Sequence, residues 1–170
     1  MLTVLSNWRG YLELTKPGVQ ALLFVSCVSG MLIGADFNPP ITVLVFGLIG
    51  ISFLAASSAV INHFFDQKID AKMNRTSSRP LVIGDISSQH AIIFSILLYV
   101  SGSLMLLNFT NFLTWLLTTL TFIFYGFIYT RYLKFMTSQN IVIGGLAGAM
   151  PPLLGWTAVT NTIEPNALLL

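Results

Sequence analysis

The sequence predicts an all-α protein, a polytopic bundle of transmembrane helices, and three observations carry that prediction. Of 170 residues, 55% are hydrophobic and only 8% charged, against roughly 25% charged in soluble domains, and the mean hydropathy is +0.81. Too little polar surface is available to cover a core in water. Second, five apolar stretches approach the ~20 residues a helix needs to cross the hydrocarbon. Third, all eight lysines and arginines fall before the first stretch, between the second and third, or between the fourth and fifth. That is the alternation expected when basic loops stay on the cytoplasmic side.

The chain opens on a short amphipathic lead-in, with Trp8 and Tyr11 placed for the membrane interface. It is not a cleavable signal peptide: no basic start precedes a long apolar run, and Glu13 and Lys16 add charge where such a run would lie. The first span covers residues 18–35 and stops at Asp36-Phe37-Asn38-Pro39-Pro40, a turn-forming run. Its single cysteine, Cys27, reads as a buried thiol in a helix, since no disulfide is possible within the chain. The second span covers residues 41–63. The third, residues 91–107, ends at Asn108-Phe109-Thr110-Asn111, and the fourth covers residues 112–130.

The fifth span, residues 140–160, carries Gly144 and Gly148 as G-x-x-x-G, with Gly145 and Ala149 repeating the small spacing. Such a face lets helices approach closely. Pro151 and Pro152 should break its hydrogen-bond ladder and kink it, and Asn140 either caps it or faces a polar cavity. After a turn-rich segment at residues 161–166, the apolar end of the chain resembles a sixth span beginning, so the sequence reads as part of a longer protein. The N-terminus is expected on the cytoplasmic side. A net charge of +2, scattered along the chain, does not suggest a nucleic-acid partner.

Two of the six acidic residues and four of the basic ones crowd into residues 61–81. Asn62, Asp66 and Asp70 lie four apart, so each step advances about 6 Å along a helix and rotates only about 40° past a full turn. Their side chains share one face. Two carboxylates and an amide oxygen in that array are hard ligands that do not close a cage, which suits Mg²⁺ completed by water and phosphate oxygens. The basic residues of the adjoining loop can grip the same phosphates, arginine as a fork and lysine as a point charge. The bland alternative stays open: topology alone puts basic residues in this loop, and carboxylates just beyond a span can simply be solvated. Asn62, near the end of an apolar span, needs a polar partner in either case. His63 points away from Asn62 and reads first as a packed or interfacial histidine.

The segment "NHFFDQKIDAKMNRTSSRPL" resembles the first aspartate-rich motif of the UbiA-type intramembrane prenyltransferases, N-x-x-x-D-x-x-x-D followed by R-T-x-x-R-P. "YLELTKPGV" and "YTRYLKFMTSQNIVIGGLAGAMPPLLGW" are similar to its heme-farnesylating branch, and the resemblance runs along nearly the whole chain. It implies a fold of nine helices around a central cavity. Residues 1–170 would be a single transmembrane prenyltransferase domain, C-terminally incomplete, with the first five helices and the start of a sixth. A second polar motif would lie beyond Leu170.

The activity implied is transfer of the farnesyl group of farnesyl diphosphate to a vinyl group of heme b. The product is hydroxyethylfarnesyl heme, heme O, used in making the hemes of terminal oxidases. The implied cofactor is Mg²⁺. Asn62, Asp66 and Asp70 are the expected catalytic residues and bind the metal through the diphosphate. Lys72, Arg75, Arg79, Arg131 and Lys134 are expected on the diphosphate, with Lys16, His63, Tyr129 and Asn140 as further candidates. Breaking the allylic C–O bond leaves negative charge for cations to stabilise, and an allylic cation that aromatic faces can support. Phe64, Phe65, Tyr125, Tyr129 and Tyr132 fall on the right membrane side for that. The implied partners are farnesyl diphosphate, heme b, the lipid bilayer and downstream heme-modifying or oxidase-assembly proteins. The implied location is a bacterial cytoplasmic (inner) membrane. Two other classes remain: a UbiA-type enzyme with an aromatic or quinone-precursor acceptor, and a transporter fragment using the carboxylates as an ion path.

Overall fold

The computed structural model describes residues 7–136 and 139–169. It contains α1 (Trp8–Leu14), α2 (Pro17–Gly34), α3 (Val43–Asp70), a short α4 (Pro80–Ile83), α5 (Ser88–Phe109), α6 (Phe112–Met136) and α7 (Asn140–Thr160). No strand occurs among the described residues. Helices α2, α3, α5, α6 and α7 are long and apolar enough to cross a membrane. They fall where the hydropathy places them, with two extensions. The second expected span continues beyond His63 to Asp70, and the fourth continues beyond Thr130 to Met136. In both, the added turns carry charge that packs against neighbouring elements instead of dissolving into a loop. The apolar end of the chain, expected as the start of another span, is a short 3₁₀ turn over Pro165–Leu169; Leu170 lies outside the described residues.

Local chemistry sets the helix ends. Pro17 and Pro80 occupy first-turn positions, where the missing N–H costs nothing. Ser87 caps α5 by accepting from the His90 amide, and Asn111 caps α6 by accepting from the Thr114 amide. Gly84, at φ 82°, closes α4 in the left-handed region.

Helix α3 is the central member. Its membrane window is 56% buried, against 17% for α2, α5 and α6 and 33% for α7. It packs chiefly on α5, while α2 packs chiefly on α7. The core joins Met31 and Cys27 of α2 to Ile51 and Leu54 of α3, Leu106 of α5 and Leu154 of α7. A second cluster ties α1 to the charged end through Leu14, Val60, Leu81 and Ile86. Tyr11 belongs to this packing, its ring edge-on to Phe94 at 5.0 Å, so it is a core contact more than an interface anchor. Trp8 is exposed, as expected.

The close helix crossing is not made by the G-x-x-x-G of α7. A methyl on Gly145 or Gly148 would meet nothing within 4 Å, and one on Gly144 would meet only the Tyr129 ring. The backbone approach occurs deeper, where a methyl on Gly30 would strike the Pro152 carbonyl and one on Gly155 the Cys27 carbonyl. Helix α7 runs through Pro151 and Pro152 without ending.

At the uncharged end, Asn111 ties α6 to α7. Its Nδ2 donates to the carbonyls of Thr157 (2.8 Å) and Ala158 (3.3 Å), and its Oδ1 accepts from the Thr114 hydroxyl. Asn111→Ala is expected to destabilise the bundle by about 1–3 kcal/mol, because buried acceptors lose their donor. Asn111→Asp, which keeps the cap but not the donor, should fall between the two in thermal unfolding.

Candidate functional site

The last three turns of α3 bring Asn62, Asp66 and Asp70 to one side, each 5% exposed. Two carboxylates that deeply buried require cations, and elements distant in sequence deliver them. Lys134, at the end of α6, donates to Asp66 Oδ2 at 2.9 Å. Arg79 donates to Asp70 Oδ2 at 2.5 Å. The loop carrying Arg79 is folded back onto α3. The Thr76 hydroxyl donates to the Asp70 carbonyl at 3.0 Å, and Gln67 donates to the Leu81 carbonyl at 2.7 Å.

Asn62 links the array to the start of α2 and a second time to α6. Its Oδ1 accepts from Lys16 Nζ at 2.5 Å, and its Nδ2 donates to Asp66 Oδ2 and to Thr130 Oγ1, both at 3.1 Å. Lys16 also donates to the Tyr125 hydroxyl at 3.2 Å and lies 5.6 Å from the centre of that ring. The residue is held in the left-handed region at φ 55°, immediately before α2. Burial is the main reason its ammonium is pushed down to about 8, with repulsion from Arg79 and Lys134 adding to that and attraction to Asp66 and Asp70 opposing it. Three cations thus face two carboxylates, a surplus positive charge that an anion would relieve.

Tyr125 and Thr130 reach this cluster because α6 widens into a π-helix over Phe124–Leu133. The wider turn lets the Thr130 hydroxyl donate to the Tyr125 carbonyl five residues back, at 2.7 Å. Tyr129 stacks on Tyr125 at 5.7 Å between ring centres and covers Gly144.

The structure does not gather every expected residue. Lys72 and Arg75 are exposed in the loop and form no ion pair with a described residue. Arg131 sets its guanidinium over the Phe65 ring at 5.6 Å, away from the carboxylates. Asn140 is the first residue of α7, not its cap, and donates to the Lys134 carbonyl at 3.0 Å. It steadies the segment carrying Lys134. Tyr132 is exposed, and Phe64 and Phe65 line a separate apolar groove between α3, α5 and α6. His63 is 4% exposed, and neither ring nitrogen has a hydrogen-bond partner. Seven residues before Asp70, it shares that residue's side of α3.

Beside the cluster lies a cavity of about 330 Å³, which meets it at Lys16 and Tyr125 and is walled by α2, α3, α6 and α7. Val19, Leu23, Ile51, Phe122 and Leu154 make much of its surface apolar. A polar mouth on an apolar chamber suits a molecule with an anionic head and a hydrocarbon tail. For a divalent cation, the donors fit an open arrangement. The hydrogen bonds to both carboxylates reach Oδ2, so Oδ1 of each accepts none from the described residues. Among those residues no three or more His, Cys, Asp or Glu form a metal cage. Two carboxylates one helical turn apart suit an ion that takes its remaining ligands from phosphate and water.

The UbiA prenyltransferase family model matches residues 23–170. The protein named protoheme IX farnesyltransferase 2 of Pseudoalteromonas atlantica is 53% identical over 164 residues, covering 96% of this chain and 54% of that relative. The protoheme IX farnesyltransferase of Hahella chejuensis is 51% identical over 168 residues, covering 99% and 56%. The chain therefore spans about half the length of the curated relatives it matches. Among solved structures, one of digeranylgeranylglyceryl phosphate synthase superposes with a TM-score of 0.78 at 26% identity, over 91% of this chain and 53% of that one. A UbiA homolog from Archaeoglobus fulgidus, bound to GPP and Mg²⁺, superposes with a TM-score of 0.75 at 21% identity, over 94% and 57%.

Proposed function

The chain belongs to the UbiA prenyltransferase family, and from that premise we propose that the protein containing it transfers a farnesyl group from farnesyl diphosphate to a vinyl group of heme b. The observation that carries this reading is the identity of about half its residues, over nearly all its length, with relatives named for that activity. The site supports it independently. The tail enters the apolar cavity and the diphosphate meets Lys16, Arg79 and Lys134 at the mouth. As the allylic C–O bond breaks, these cations stabilise the charge gathering on the leaving group. Asp66 and Asp70, with Asn62 between Lys16 and Asp66, are the residues that would hold Mg²⁺ against the diphosphate, where the ion supplies further charge stabilisation. The surrounding helices keep bulk water from the farnesyl cation, and the Tyr125 face at the cavity mouth supports its charge.

The chain is an integral membrane protein. The basic residues cluster at one end of the bundle, which supports a cytoplasmic-side location for that end in a bacterial inner membrane. Residues 1–170 would then supply one wall of a single prenyltransferase domain. The test is incubation of the membrane-embedded protein with heme b, farnesyl diphosphate and Mg²⁺, followed by mass analysis of extracted hemes. Heme O, absent when the metal is chelated, is the expected result. Conversion of a quinone precursor in its place would overturn the choice of acceptor.

The two loop arginines should separate. Arg79→Ala is expected to weaken farnesyl diphosphate binding roughly tenfold or more, the scale of one lost charged hydrogen bond, whereas Arg75→Ala should change it less than twofold. Equal effects, measured as dissociation constants, would mean that the loop acts only through its summed charge.

A further inference from the structure

Proline has no amide N–H, so each proline inside a helix leaves the carbonyl four residues earlier without its usual donor. In α7 the two adjacent prolines, Pro151 and Pro152, do this to Ala147 and Gly148. No hydrogen bond from a described side chain reaches either oxygen. Both residues line the cavity, and at Gly148, which has no side chain, the lining atoms are the main chain itself. The space beside Gly148 is open, with nothing within 4 Å of where a methyl would stand. At membrane depth a bare carbonyl is tolerated where it faces a cavity that can satisfy it.

The surrounding wall is short of donors. Ser26, Ser58, Thr118 and Thr121 all line the cavity, and the hydroxyl of each donates its proton to a carbonyl of its own helix. They can therefore only accept. The donors lie toward the mouth, at Lys16, Tyr125 and Gln20. A ligand that gives two hydrogen bonds and occupies only ~30 Å³ matches two adjacent acceptors within such a chamber. We propose that the carbonyls of Ala147 and Gly148, freed by the Pro151–Pro152 pair, seat a water molecule in the wall of the prenyl cavity, and that this water becomes the hydroxyl of the product.

The chemical role rests on the heme reading above. In that reaction C1 of the farnesyl group leaves its diphosphate oxygen and bonds to the terminal vinyl carbon, so the carbon joined to the porphyrin becomes cationic. The oxygen of the held water bonds to that carbon, and one water proton passes to the released diphosphate, the base formed in the same reaction. Without a seated water the same cation loses a proton from its neighbouring CH₂, and an alkene results.

Pro151→Ala and Pro152→Ala restore the missing N–H groups, cap the oxygens from within the helix and favour its folding. In the protein that contains this chain, embedded in lipid, diphosphate release should persist in the double variant. The ratio of hydroxylated to alkene product should fall at least tenfold. Gly148→Ala, which has room for its methyl, should lower the ratio in the same direction by crowding the seat. An unchanged ratio in variants that still release diphosphate, or loss of diphosphate release in all of them, overturns the proposal. A readout independent of turnover uses carbonyl-¹³C glycine with ¹⁵N alanine, which within residues 1–170 selects the Gly34–Ala35 and Gly148–Ala149 pairs, the Gly148 signal being assigned by its loss in Gly148→Ala. Magnetisation should pass from water to the Gly148 carbonyl and be lost in Pro152→Ala; its absence in the unsubstituted protein removes the seat. If that transfer is present but heme b is not converted, the seat stands and the heme reading fails.

Discussion

Asp66→Asn or Asp70→Asn is expected to lower heme O formation by roughly 10²-fold or more, with insertion and abundance unchanged. Each substitution preserves shape and removes one negative charge from the face proposed to hold Mg²⁺. Both carboxylates are also ion-paired, Asp66 to Lys134 and Asp70 to Arg79, so loss of activity alone would not identify the role. The partner variants separate the two. Were Asp66 needed only to neutralise Lys134, removing Lys134 as well would raise the double variant above Asp66→Asn, to the level of Lys134→Gln. The metal role requires instead that the double variant stay as inactive as Asp66→Asn and that the Mg²⁺ concentration needed for half-maximal activity rise in Asp66→Asn. Product formation near the unsubstituted level in both single variants, with saturating Mg²⁺, would remove the diphosphate site from this face of α3.

The largest loss of folded protein is expected from Gly30→Ala and Gly155→Ala. At each position the added methyl meets a backbone carbonyl of the opposing helix, Pro152 and Cys27 respectively, and neither can rotate aside as a side chain would. Overpacking costs typically 1–3 kcal/mol and more where the neighbour cannot yield, so both variants should fall at or beyond the upper end. Gly145→Ala, which meets nothing, should match the unsubstituted protein in thermal unfolding and membrane abundance. A common small effect at all three positions would show that α2 and α7 can slide apart freely.

The middle of every span was legible in the sequence, because burial in lipid is decided by local hydropathy. The ends were not. His63 looked like the last residue of its span, yet α3 continues to Asp70, where Arg79 and Lys134 neutralise the carboxylates of the added turns. The common face of Asn62, Asp66 and Asp70 follows from helical spacing alone. The groups that complete it do not: Lys134 meets Asp66 across 68 residues, and Lys16 meets Asn62 across 46. A regular α-helical period gives no warning of the π-helical turn that aims Tyr125 and Thr130 at the cluster. Arg75 and Arg79 look equivalent on paper, and only the fold of their loop distinguishes them. Gly144 and Gly148 stand out in the sequence as a small-residue pair, and Gly30 and Gly155 do not. Which pair is a contact depends on the partner helix, and sequence spacing carries no partner.

The pairing of α2 with α7 also has a cost in time. Gly30 waits for Pro152 while about 120 residues are still to be made, which at ~5–20 residues per second is roughly 6–24 s of synthesis. For much of that interval α2 lacks the neighbour it is shaped to fit. The backbone surface around Gly30, where another helix is meant to come close, must face lipid or the insertion machinery instead. Helices α3 and α5, adjacent among the spans, can meet early and give the nascent bundle a seam. Helix α2 thus waits longer for its main partner than α3 waits for α5, so slowed synthesis between α6 and α7 should expose it to degradation.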